Sequence, residues 1–177
     1  VAYDLGSDGT AMWFAQKVGE KIMLIDYEEF KDLKELATIF NVLDRKGYTY
    51  GKHILPHDAT QTTIRGDASI LNQFKAQGHR CILLKRTDRD AGIRSAQDRL
   101  VKCHFNIPST KRGIDCLVNY QAKINKEGIV TKEPKHDQFS HGADAFRYLM
   151  LEIDNIGKAQ CLDPSMFKIN GDWPEFD

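Results

Sequence analysis

Three aspartates stand where the surrounding residues give charge no local purpose. Asp4 interrupts the apolar run that opens the chain, Asp58 closes a short strand in His57-Asp58-Ala59, and Asp144 lies in Ser140-His141-Gly142-Ala143-Asp144-Ala145. The small neighbours of Asp144 would let a helix approach a sheet closely. Carboxylates that converge raise one another's pKa unless cations neutralise them. Hard divalent ions such as Mg²⁺ or Mn²⁺ suit such oxygen donors. Two of them ~4 Å apart activate a water and stabilise the leaving oxygen of a phosphodiester. Asp137, His141 and Asp144, spaced four and three, form one stripe. An N-cap Asp followed by exposed polar residues would give the same spacing.

Other chemistries fit less well. His53 and His57 could be paired as zinc ligands, but on a strand they sit at opposite ends, with Pro56 between them. Asp4 to Ala15 begins like an EF-hand loop, yet Gly6 takes the third position and Ala15 the twelfth, where a bidentate Glu is needed. The start Asp4-Leu5-Gly6 with Gly9-Thr10 also matches the phosphate hairpin of sugar kinases and actin-like ATPases, which need two such domains. No G-x-x-x-x-G-K-[ST] motif occurs. Cys81, Cys103, Cys116 and Cys161 form no C-x-x-C pair, which argues against a zinc ribbon, and their apolar settings read as reduced thiols of a cytoplasmic protein.

The charge is divided. The 25 Lys+Arg balance 25 Asp+Glu, but Lys75–Arg112 holds ten Lys/Arg against three Asp, a net of +7, so the rest carries −7. A basic block beside an acidic remainder can set a phosphate-binding face next to a carboxylate cluster. Lys85, Arg86, Arg89 and Arg94 are the candidates for phosphate contacts. The plainer reading of the block is the solvated face of a helix.

The elements that must position these residues follow from periodicity. Val1–Leu5, Ala11–Ala15 and Ile22–Tyr27, separated by Gly-containing turns, predict an antiparallel three-strand meander whose middle strand is covered on both faces. A helix is expected from an Asp32 N-cap to Gly47, a strand at His53–Pro56, a helix at Ala68–Ala76 and a strand at Cys81–Lys85. Helices are expected over Ala91–His104, Ile114–Ile124 and Gln138–Asn155, with a small hairpin arm at Ile129–Thr131. This order predicts an α/β mixed sheet flanked by helices. The 177 residues suit one domain, expected over 1–156, and a tail over 157–177 that carries Trp173 and Phe176 and packs on or extends from it. No stretch approaches the ~18 apolar residues of a membrane span. An apolar start at Val1 is what a domain cut from a longer chain presents.

The segments Asp4-Leu-Gly with Asp8-Gly-Thr-Ala11, Asp26-Tyr27-Glu28, His57-Asp58-Ala59, and His136-Asp137 with Ser140-His141-Gly-Ala-Asp144-Ala145-Phe146-Arg147-Tyr148 resemble the C-terminal nuclease domain of bacteriophage terminase large subunits. The resemblance runs from residue 1 to about 150 and implies a ribonuclease H-like fold. It implies a metal-dependent endonuclease with two divalent cations, Mg²⁺ or Mn²⁺. Asp4 would bridge them, with Asp58 on one and Asp144 on the other. His141 would lie beside the metals and orient or deprotonate the water. Asp8 and Asp137, where the family varies, are further ligand candidates. Cleavage of concatemeric double-stranded viral DNA, with little sequence choice, would follow, in the cytoplasm of the infected bacterial host. The partners implied are the portal, the small terminase subunit and an ATPase domain of the same polypeptide. Two other functions stay open: a resolvase-type nuclease on branched DNA or RNA–DNA hybrids, and a non-catalytic assembly module.

Overall fold

The consecutive large apolar residues Met12, Trp13 and Phe14 point to alternate faces of one strand, which therefore needs cover on both sides. The computed structural model describes residues 1–6, 8–33, 35–61 and 68–156, so the C-terminal tail lies outside the described residues. Strands β1 (Ala2–Leu5), β2 (Gly9–Val18) and β3 (Lys21–Lys31) form the expected antiparallel meander. Strands β4 (His53–Leu55), β5 (Cys81–Leu83) and β6 (Cys103–Phe105) join it in parallel, giving the order β5-β4-β1-β2-β3-β6. This mixed six-stranded sheet is the ribonuclease H-like arrangement expected.

The period of two sorts the strand residues between two helical layers. Tyr3, Met12, Phe14 and Leu55 face Ile39 and Leu43 of α1 (Ala37–Lys46) and Phe74 of α2 (Ile70–Ala76). Ala2, Ala11, Trp13 and Ile54 face Ala96 of α3 (Arg89–Leu100), Cys116 of α4 (Ile107–Val118), and Ala145, Phe146, Leu149 and Met150 of α5 (Ser140–Glu152). Two close approaches need glycine. A Cβ on Gly113 of α4 would fall 2.4 Å from the Trp13 ring, and one on Gly142 of α5 would fall 2.6 Å from Cys116 Sγ.

Several expected boundaries move. The first helix begins at Ala37, not after an Asp32 cap: β3 stays paired through Lys31 with Gly9, and Asp32 turns away at φ 51. The helix expected to end at His104 stops at Leu100, because Cys103–Phe105 pairs with Ile22–Leu24 as an edge strand. Helix α4 starts seven positions early, at Ile107, with Pro108 in its first turn, where a missing N–H costs no bond. Residues Ala122–Ile124 are then strand β7, paired with β8 (Val130–Pro134) as the arm. No helix among the described residues is long and apolar enough to cross a membrane.

His53 points into the α1/α2 layer, 1% exposed, with Nδ1 2.6 Å from the Tyr3 hydroxyl and its ring 4.3 Å from that of His79. Its Nε2 meets no hydrogen-bond partner among the described residues, and burial pushes its pKa down to about 3. Protonation therefore favours the unfolded chain. Stability is complete above the ordinary histidine pKa of about 6.5 and falls as the pH drops from there toward the folded-state value. At about pH 4.5 the loss from this residue is about 2–3 kcal/mol. Urea unfolding of the parent and His53→Gln at about pH 7 and 4.5 checks this. The variant should lose less stability on acidification; equal losses would refute the assignment.

Candidate active site

Asp4 shares the sheet face of Ala2 and pairs directly across from Ala11, so its carboxylate points toward α5. There His141, in the first turn of α5, places Nδ1 2.7 Å from Asp4 Oδ2. The β1–β2 turn makes room for that ring. A Cβ on Gly6 would lie 2.6 Å, and one on Gly9 2.5 Å, from atoms of the His141 imidazole. The turn is closed by the Gly6 N–H donating to the Gly9 carbonyl at 2.8 Å. It presents Asp8, whose Oδ1 lies 3.3 Å from His141 Nε2 and whose Oδ2 lies 2.9 Å from His136 Nε2.

One turn along α5, Asp144 shares the face of His141. Its Oδ1 accepts from Arg147 Nε at 3.1 Å and Nη2 at 3.0 Å, and from the Tyr120 hydroxyl at 3.3 Å. Arg147 is buried, stacks on Tyr148 with Cζ 4.5 Å from the ring centre, and has space because α3 carries Gly92 beside it. Among the described residues, Asp4 Oδ1 and Asp144 Oδ2 have no hydrogen-bond or ion-pair partner. Each carboxylate thus has one oxygen held by the protein and one free.

The electrostatics match this geometry. Burial, then the charge of Asp144, push the Asp4 carboxyl up, while the His141 hydrogen bond pulls it down. Asp4 in turn holds the His141 pKa above its ordinary value, against the cost of burial. Burial opposes the charge of Arg147, and Asp144 more than restores it. Burial also pushes the Tyr148 phenol up to about 12, with Asp4 adding to the effect. Two carboxylates near one another in a half-buried site, with only partial cationic compensation, are a donor set suited to a divalent cation.

The other candidates are placed as follows. Asp58 is exposed in a single 3-10 turn (His57–Thr60) after β4. β4 runs parallel to β1 with Ile54 level with Ala2, so Asp58 emerges two residues past the level of Asp4, at the same end of the sheet. Its carboxylate makes no hydrogen bond or ion pair among the described residues. Asp137 precedes α5: Oδ1 accepts from the Phe139 N–H at 2.9 Å, and Oδ2 lies 3.3 Å from Lys135. Both oxygens of Asp137 are thus engaged ahead of α5, outside the helix, and the stripe reduces to His141 and Asp144. Lys85, Arg86 and Arg89 line a cavity of about 290 Å³ with His57, Arg147 and Tyr148. Arg94 is exposed on α3 outside that lining.

His136 and Arg147 stand in the segments that carry the resemblance without an assigned role, and Tyr120 lies outside those segments. Arg147 could have been found from its i, i+3 spacing to Asp144, a helical ion-pair distance. Nothing local marks Tyr120, which reaches Asp144 from beyond the end of α4.

No family model and no curated protein matches this chain. Solved structures do. The large-terminase nuclease domain of bacteriophage SPP1, with bound Mn, superposes with a TM-score of 0.60 at 20% identity, covering 86% of this chain and 84% of that one. The nuclease domain of the P22 large terminase gives 0.57 at 17% identity, covering 89% and 84%. A large terminase from a thermophilic bacteriophage gives 0.68 at 16% identity, over 86% of this chain and 38% of that longer one. The chain therefore has the fold of bacteriophage large-terminase nuclease domains.

Proposed function

We propose that this chain is the nuclease domain of a viral DNA-packaging terminase, hydrolysing duplex DNA phosphodiesters with divalent cations. One observation carries the reading. On the fold of terminase nucleases, a half-buried strand-end Asp4 and a helix-borne Asp144 each keep one oxygen without a partner among the described residues, beside a cavity lined by Lys85, Arg86, Arg89 and Arg147. Asp4, Asp58 and Asp144 would hold the ions, with Asp8 and Asp137 as further candidates. Mg²⁺ or Mn²⁺ bound there would supply water activation and stabilisation of the leaving oxygen.

The residues do the rest. His141 fixes Asp4 through Nδ1, and with its other nitrogen facing Asp8 and its pKa raised, it acts chiefly by orienting that carboxylate. Arg147 and Tyr120 orient Asp144 in the same way. The basic lining and the residues after β5 would take successive backbone phosphates, which gives affinity without sequence choice. An ATPase domain, a portal and a small subunit would be the partners of the longer protein.

Plasmid nicking with Mg²⁺, Mn²⁺ or EDTA tests the activity; cleavage in EDTA, or none with either ion, would overturn it. Branched DNA and RNA–DNA hybrids run beside plain duplex decide the substrate. The basic margin makes a separate prediction. Replacing Arg86 and Arg89 by Ala should weaken duplex binding and lower the slope of log K against log salt by roughly 2, about one per lost phosphate contact. An unchanged slope would exclude these two residues from the interface.

A further inference from the structure

We infer that Asp8, His136 and His141 form a second, nitrogen-rich metal site, which binds a borderline transition ion such as Zn²⁺ or Co²⁺. One nitrogen of each histidine and one oxygen of the aspartate all lie within 4.8 Å of one another. Both imidazoles aim Nε2 at the same carboxylate, at 2.9 Å from His136 and 3.3 Å from His141. The rings stand 5.4 Å apart and nearly perpendicular, so the nitrogens converge without the rings stacking.

The far side of each ring supports this reading. A ligating histidine commonly gives its other N–H to a carboxylate, carbonyl or other oxygen, which fixes the tautomer that leaves the ligating nitrogen bare. His141 Nδ1 lies 2.7 Å from Asp4 Oδ2, and His136 Nδ1 lies 3.3 Å from Ser140 Oγ. Both outer partners are therefore in place. Asp8 and His136 are 58% and 68% exposed at their side chains, which leaves an entry path and room for water to complete the coordination.

The donor chemistry separates this site from the carboxylate one. Two imidazoles and a carboxylate suit Zn²⁺ and Co²⁺, while all-oxygen donors suit Mg²⁺. An ion here would tie the β1–β2 turn to the entrance of α5, groups 128 residues apart in sequence. The site adjoins the carboxylate one through the His141–Asp4 hydrogen bond. Asp8, a further candidate there, is here assigned to the nitrogen-rich set, whose own geometry does not require the nuclease reading.

Co²⁺ is the probe, because imidazole ligation at low coordination number gives visible absorption stronger than that of the hydrated ion. Titration of the chain should show a saturable band that Zn²⁺ removes and that a large excess of Mg²⁺ leaves in place. His136→Ala should weaken Co²⁺ binding by at least about tenfold. Since His136 is exposed, that variant keeps its fold. Asp58→Asn and Asp144→Asn should leave the band intact, so a failed nuclease assay and a failed metal site are separable results. Absence of a saturable band, a band unchanged in His136→Ala, or one lost in Asp144→Asn would overturn the assignment.

Discussion

Asp4→Asn and Asp144→Asn are each expected to lower plasmid cleavage by at least about 10²-fold, the scale seen when one preorganised electrostatic group is removed from an active site. Asparagine keeps the shape of aspartate and removes the charge. At position 4 the amide oxygen can still accept from His141 Nδ1, so the strand end and the imidazole stay in place while the proposed cation site loses the carboxylate charge of its less exposed aspartate. At position 144 the change also leaves Arg147 with a neutral partner in a buried setting. Some loss of stability is therefore expected there, and thermal melts of both variants must show them folded at the assay temperature. The two effects should not add in the double variant, because residues that act as one unit fail together. If either single variant cuts as fast as the parent, the site assignment is wrong.

Trp13→Ala should cost about 3–5 kcal/mol, a large part of the total stability of a domain this size. Trp13 is fully buried in the centre of β2, with its ring 4.9 Å from Tyr27 and 5.6 Å from Phe146 between centroids. Its Nε1–H donates to the Gly142 carbonyl at 2.8 Å. Truncation empties the space against which α4 and α5 pack, and it removes the indole's hydrogen bond to that carbonyl. Trp13→Phe, which keeps most of the ring volume and loses the bond, should cost less than the alanine variant. Urea unfolding measures both. A cost below about 1.5 kcal/mol for Trp13→Ala would mean that the helices do not depend on this residue. Because α5 carries His141 and Asp144 on either side of Gly142, the alanine variant should also lose cleavage at temperatures where it remains folded.

Much of the frame was legible because it is local. Alternation in β1–β3 announced the meander, and the doubly apolar pattern of β2 announced an internal strand. Asp4 stood out as the charge in that pattern, and the small residues around Asp144 announced a helix that packs closely. The misplaced boundaries share another cause. Cys103–Phe105 becomes a strand only because β3 offers it a free edge, and Ile107 starts a helix only because Phe105 has ended that strand. Neither signal exists within the segment itself.

The sequence alone determined which residues are polar where a core was required: Asp4 in its strand, His141 and Asp144 on one helical face, and a basic block from Lys75 to Arg112. These follow from periodicity, which each element carries in its own residues. Only the tertiary structure decided who meets whom. It turned Asp137 onto the Phe139 N–H ahead of α5, brought His136 onto Asp8, and set Arg147 and Tyr120 on Asp144. It also divided the basic block, sending Lys85, Arg86 and Arg89 to the cavity and Arg94 away from it. Contacts between distant segments depend on sheet order and helix placement, and a single chain's local pattern specifies neither.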